Sequence, residues 1–144
     1  MNSLDTNILI YAANTAAPEH AKALAVVDAM LANPGEWIIA DQVLWEFYKA
    51  LRHPKILQKP RTAAQAAAQI RFLREKSGVA CCTYETGHFG DVLRIIEKPR
   101  FAYQCTHDAV LGVALRRNGV KVFYTRNEKD FLDSGLPQIV NPID

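Results

Sequence analysis

Long hydrophobic runs are missing from this chain. The most apolar ones, such as Ala109 to Leu115, fall far short of the ~20 residues that span a bilayer, so no membrane contact is expected. The opening Met1-Asn-Ser-Leu-Asp5 carries neither the basic nor the apolar region of a secretory signal, and a cytoplasmic protein is expected. Cysteine is scarce and odd in number: Cys81, Cys82 and Cys105. No Cys-x-x-Cys or His-rich spacing is present to bind zinc. Cys81 and Cys82, adjacent in a strand-like run, point to opposite sheet faces, and all three thiols are read as small, reduced core residues. Strong charge of one sign is also lacking. The net +2 does not by itself announce a nucleic-acid protein, although acids committed to one site would leave the remaining surface more basic. Neither repeats nor low-complexity segments are visible.

What the chain does have is an ordinary globular balance, 49% hydrophobic and 22% charged over 144 residues, enough for one domain spanning 1–144 with a real core. Its elements alternate. A short strand at Met1–Leu4 is polar for a strand because of Asn2 and Ser3. Helices follow at Thr6–Ala13 and Pro18–Leu31, the latter with proline near its first turn. Trp37–Ala40 reads as a strand, and Asp41 is a candidate cap for a helix to Arg52. Thr62-Ala-Ala-Gln65 fits a capping box that opens an Ala-rich helix to about Ser77. Val79–Thr83 is a third strand and Phe89–Glu97 a helix. Thr106–Asn118 is a strongly apolar helix ended by Gly119. Lys121–Tyr124 is a fourth strand, Glu128–Asp133 a short helix, and Gln138–Val140 a fifth strand. Strands alternating with helices predict an α/β protein: a three-layer α/β/α sandwich around a mainly parallel sheet of four to five strands.

In such a fold the strand C-termini and the helix N-termini that follow share one edge, where ligand sites form. Four acids fall at this punctuation: Asp5 after the first strand, Glu46 in Val-Leu-Trp-Glu-Phe, Asp108 in Thr-His-Asp-Ala, and Asp130 in Thr-Arg-Asn-Glu-Lys-Asp-Phe. Each has a structural alternative. Asp5 suits a helix cap, but Thr6 and Asn7 can cap as well. Glu46 lies beside an apolar stripe that includes Val43 and Ala50, where it needs a partner such as Lys49 or Arg52, or a metal. Asp108 is in the first turn of an apolar helix, which the helix dipole favours. Asn127 can cap with Asp130 three residues on, or both can face an ion. Carboxylates massed on one edge repel one another unless a cation sits among them, and a hard divalent ion with oxygen ligands suits them. Such an ion eases deprotonation of water and stabilises charge on a phosphodiester, so phosphodiester hydrolysis is expected.

These motifs resemble the PIN-domain ribonuclease family. Leu4-Asp-Thr-Asn-Ile-Leu-Ile-Tyr-Ala12 is similar to its opening motif, and Glu46, His107-Asp108-Ala109 and Thr125-Arg-Asn-Glu-Lys-Asp-Phe131 match its later acidic motifs in order. The resemblance covers almost the whole chain. It implies the PIN-like α/β/α fold, an Mg2+ or Mn2+ site built from Asp5, Glu46, Asp108 and Asp130, and cleavage of RNA. Thr6, Asn7, Thr125 and Asn127 are secondary candidates. Members of this size imply a VapC-type toxin, a small antitoxin partner and a homodimer. Asn127 departs from the family, which often has aspartate there, as does Asp41 where a small hydroxyl residue is common. Among scattered basic residues, Arg126 is the best candidate for a phosphate contact. The Ala63, Ala66, Ala67, Ile70 and Leu73 stripe suits either core or a dimer contact. Rival readings are a PIN-like nuclease acting on DNA or in RNA maturation, a non-catalytic partner-binding domain, and an aspartyl phosphotransferase, which would want an acid where Asn7 stands.

Overall fold

The computed structural model describes residues 1–144. Its strands are β1 (Asn2–Leu4), β2 (Ile38–Ala40), β3 (Ala80–Cys82), β4 (Val122–Tyr124) and β5 (Gln138–Val140). Its α-helices are α1 (Thr6–Ala13), α2 (His20–Ala32), α3 (Asp41–Leu51), α4 (Ala63–Arg71), α5 (His88–Ile96) and α6 (Thr106–Arg117). Strand β4 pairs in parallel with both β1 and β5, and β2 pairs in parallel with β3. A parallel bridge from Asn2 to Trp37 joins the two ladders, giving the spatial order β3-β2-β1-β4-β5.

The polar first strand now has a reason. Ser3 is fully buried, and its hydroxyl donates to the Ile38 carbonyl at 2.6 Å. A buried hydroxyl is tolerated when it is hydrogen-bonded, and here the bond ties β1 to β2 where regular pairing is short.

Connections from β1 to β2 and from β2 to β3 step one way along the sheet, and the connection from β3 to β4 steps back. Right-handed crossovers therefore put α1–α4 on one face and α5 and α6 on the other. All three residues of β2 are buried, as a strand covered on both faces should be. The core gathers Leu4, Ile39 and Phe123 from the strands with Ile8, Met30, Val43, Leu51, Leu111 and Leu115 from the helices. This is the expected α/β/α sandwich.

Several boundaries differ from expectation. Helix α2 begins at His20, because residues around Pro18 form a turn in which the His20 amide bonds the Ala17 carbonyl. Asp41 does not cap α3. It is the first helical residue, and its carboxylate pairs with Arg74 at 2.9 Å. The Thr62 capping box is present in both directions, but the α-helix it opens ends at Arg71 and widens into a π-turn over Phe72–Lys76. The Ser77 amide closes that turn on the Phe72 carbonyl at 2.8 Å, while the Ser77 hydroxyl takes the Leu73 carbonyl. The expected helix after Asn127 is a single 3-10 turn, Glu128–Phe131. Ala66, Ile70 and Leu73 of the alanine-rich stripe face the chain's own core.

Candidate active site

Strand β1 lies between β2 and β4, and the chain leaves β1 and β4 in opposite directions. This is the switch point at which open α/β sheets bind ligands. Asp5 follows β1 and Thr125 follows β4, so both stand at that crevice.

Asp5 is buried and held on both carboxylate oxygens. Oδ1 accepts the Thr6 amide at 2.7 Å, which is the helix cap expected of it. Oδ2 accepts the Thr125 hydroxyl at 2.8 Å and the Asn7 amide at 3.4 Å. Burial raises the Asp5 pKa, with the negative fields of Glu46 and Asp130 adding, although the bonds from Thr125 and Thr6 oppose the shift.

The Thr125 hydroxyl is a junction. Besides donating to Asp5, it accepts from the Asn7 side chain at 3.4 Å and the Asn127 amide at 3.0 Å. Asn7 in turn accepts the Arg126 amide at 3.3 Å. The motifs at the two ends of the chain are therefore locked together.

Glu46 is exposed rather than tucked against the apolar stripe. The stripe of α3 buries Val43, Leu44, Phe47, Ala50 and Leu51 and leaves Trp45 and Glu46 outside. No pair forms with Lys49 or Arg52. One carboxylate oxygen of Glu46 accepts the Thr6 hydroxyl at 2.8 Å, and the other accepts Gln42 at 3.4 Å. Gln42 also donates to the His107 carbonyl at 3.0 Å and accepts the Tyr84 hydroxyl at 2.8 Å. It links α3, the segment after β3 and the start of α6. The one available signal for Gln42 was its place a turn before Glu46, and Tyr84 had none.

Asp108 enters from the first turn of α6, whose residues from Leu111 to Leu115 are all buried. Burial, followed by the fields of Asp5, Asp130 and Glu46, pushes its carboxyl up to about 6, with His107 opposing. Asp108 therefore feels the other three acids and Asp5 feels Glu46 and Asp130, but the group at ligand distance holds Asp108 and Asp130 with Cys105, and not Asp5 or Glu46. His107 itself is exposed, and its imidazole plays no part in the hydrogen bonding of the site.

Asp130 is exposed. Its carboxylate lies with that of Asp108 and the Cys105 thiol in a group whose ligand atoms are all within 4.8 Å of one another. Cys105 donates to it at 3.7 Å, which corrects the reading of this cysteine as core. Its place three residues before Asp108, one helical turn, was the available signal. Asn127 makes no side-chain cap, so the capping alternative for that pair is not what the structure holds. Arg126, expected to meet phosphate, is engaged instead. It donates to the Tyr11 hydroxyl at 2.6 Å, lies over the Tyr11 ring, and approaches Glu19 and Asp144 at 3.7 Å.

The donor set suits a hard divalent cation. Asp5, Glu46, Asp108 and Asp130 pair with no Lys or Arg; Asp28, Glu36, Glu97, Glu128 and Asp133 also lack such a partner, so what sets the four apart is that the other three act on Asp108. No Lys or Arg offsets their mutual repulsion, only His107 beside Asp108, and carboxylate oxygens match Mg2+ or Mn2+ better than a softer ion, the Cys105 thiol being the one soft atom in the group.

Known proteins share the sequence pattern and the fold. The sequence pattern of the PIN domain matches residues 3–133. Ribonuclease VapC24 of Mycobacterium tuberculosis is 34% identical over 143 residues, covering 99% of this chain and 97% of that protein. Among solved structures, Mycobacterium tuberculosis VapC20, described as a sarcin–ricin loop cleaving toxin, superposes with a TM-score of 0.63 at 14% identity, over 85% of this chain and 87% of its own. FitAcB from Neisseria gonorrhoeae superposes with a TM-score of 0.66 at 12% identity, over 99% and 98%. These two likenesses concern the fold.

Proposed function

The chain belongs to the PIN-domain family, among its VapC-type ribonuclease toxins, and on that premise we propose that Asp5, Glu46, Asp108 and Asp130 hold Mg2+ or Mn2+ and that the protein cuts RNA internally there by hydrolysis. The observation that carries this reading is four carboxylates that pair with no Lys or Arg, two of them with pKa values raised in part by the others. The ion, when bound, supplies Lewis acidity towards water and the phosphodiester. Asp108 and Asp130, whose carboxylates share a group at ligand distance, would hold the ion, with buried Asp5 beside them. Thr125, Asn7 and the Thr6 amide aim Asp5, and the Thr6 hydroxyl and Gln42 aim Glu46. Glu46, exposed to solvent, would orient a water at the ion and take its proton.

Cleavage of RNA by the purified protein in Mn2+ or Mg2+, stopped by EDTA, tests this. Asp5→Asn and Asp108→Asn should each lose most of the rate while the fold survives. Full activity in both variants would overturn the assignment.

The family also supports a small antitoxin as partner, action in the cytoplasm, and a homodimer. An apolar groove of about 350 Å3 between α1, α2 and the Phe72 turn, with Leu24 and Phe72 partly exposed, offers an antitoxin surface to bury. Ala66, Ile70 and Leu73 of the alanine stripe are spent on the chain's own core, and the dimer contact is proposed on α5 instead. Phe89 and Leu93, one turn apart, stand 75% and 42% exposed there.

A further inference from the structure

Almost every arginine in this protein is already engaged. Arg74 pairs with Asp41 and Arg71 with Glu75, while Arg94, Arg116 and Arg117 share Asp91. Arg52 donates to the Tyr48 hydroxyl, Arg61 to the Lys59 carbonyl, and Arg126 to Tyr11. Arg100 alone makes no side-chain hydrogen bond or ion pair. It lines a cavity of about 190 Å3 whose walls also include the carboxylates of Asp108, Asp130 and Asp133, apolar Ile95, Phe101 and Ala102, and Lys129, another cation without a partner.

The three kinds of wall select one kind of occupant. Asp108 and Asp130 mark where the scissile phosphate must lie if the four carboxylates hold a cation. Apolar Ile95, Phe101 and Ala102 suit a flat ring rather than a second phosphate. Two unpaired cations suit an anion one step along a chain. The volume is below the ~300–1,000 Å3 of pockets for drug-sized ligands, so it fits a single ring system. Sequence-selective proteins read RNA by splaying out unpaired bases, stacking them on aromatic or arginine planes.

We propose that this cavity is a nucleotide subsite: it receives the unpaired base flanking the scissile phosphate, with Phe101 beneath the ring and Arg100 and Lys129 on the neighbouring phosphate. The assignment rests on the ribonuclease reading above and deepens it by naming substrate-binding residues.

The test uses the full-length protein in Mg2+ and the four nucleoside 5′-monophosphates as probes, followed by amide resonances. Resonances of Phe101, Ala102 and Lys129 should move, and Arg100→Ala or Phe101→Leu should weaken binding about tenfold, the loss expected of one phosphate or stacking contact. Arg100→Lys should restore part of it. In parallel, cut sites are mapped on an unstructured oligoribonucleotide of mixed sequence in Mn2+. Both variants should still cut, with a raised KM and a flattened base preference beside the cut. Arg100 is exposed, so its substitution leaves the fold intact even if Phe101→Leu does not. Nucleotides that move no resonance around the cavity, or variants that cut with the wild-type pattern and KM, would overturn the subsite. A wild-type protein that cuts no RNA would sink the ribonuclease reading instead, and the nucleotide titration would still judge the cavity.

Discussion

The Thr125 hydroxyl donates to the Asp5 carboxylate across 2.8 Å, although 120 residues separate them in the chain. The bond closes the crevice between β1 and β4 and fixes one oxygen of the most buried acid in the site. Thr125→Val keeps the shape but removes the donor to Asp5 and the acceptor for the Asn127 amide. Leaving buried polar groups unpaired costs about 1–3 kcal/mol. A lowered Tm and weaker metal binding are expected, with Thr125→Ser close to wild type. A valine variant with wild-type Tm and metal affinity would show that the hydroxyl orders nothing.

Divalent metal should stabilise the protein. An ion bound only by the folded state adds about 2.7 kcal/mol at a hundredfold excess over Kd, which corresponds to a Tm rise of several degrees for a chain of this size. Thermal scans with millimolar Mg2+ or Mn2+, and with chelator, check it. Asp108→Asn should shrink the rise. Identical midpoints in metal and in chelator would count against the site.

Without metal, Asp108 gives the stability a definite pH signature. Its folded pKa is raised, from 3.8 to about 6, so the folded state binds the proton more tightly than the unfolded chain. The charged form therefore destabilises the fold: the penalty is absent below the unfolded value near 4, grows between 4 and 6, and is complete above 6. Asp108→Asn removes it. In chelator the variant should match wild type near pH 4 and be the more stable of the two at pH 7. Urea titrations at both values measure the difference, and a gap that does not widen with pH would contradict the origin given for the shift.

Asp130 and Asn127 are separable. Since Asn127 makes no cap, Asp130→Asn should leave metal-free stability unchanged or slightly raised, through lost repulsion with Asp108, while metal affinity and cleavage fall. Asn127→Asp should preserve or tighten metal binding if that exposed side chain faces the ion. Calorimetric titration with Mn2+ reads both. A fully active Asp130→Asn with unchanged affinity would move the fourth ligand elsewhere.

The dimer contact on α5 is testable by light scattering. Wild type should run at twice the 16.1 kDa chain mass, and Phe89→Glu should shift it towards the monomer because a charge then sits in an apolar interface. A wild-type protein that stays monomeric at high concentration would remove the proposal.

Local chemistry was legible in the sequence because local rules govern it. The Thr62 box, the Asp5 cap, the strand–helix alternation and the order of the acidic motifs all follow from residue types within a few positions of each other, and right-handed crossovers then imply a shared edge. What tertiary structure alone decided depends on partners far away in the chain. Ser3 became a core residue because β2 presented a carbonyl. Asp41 left its expected cap for Arg74, and Arg126 left phosphate for Tyr11 and Glu19. Cys105, indistinguishable by type from Cys82, went to the acidic site because α6 begins there. Arg100 stood out only once the other arginines had found acceptors. A side chain's charge is fixed by its sequence, but whether that charge is paired or available is fixed by which atoms folding brings within about 4 Å.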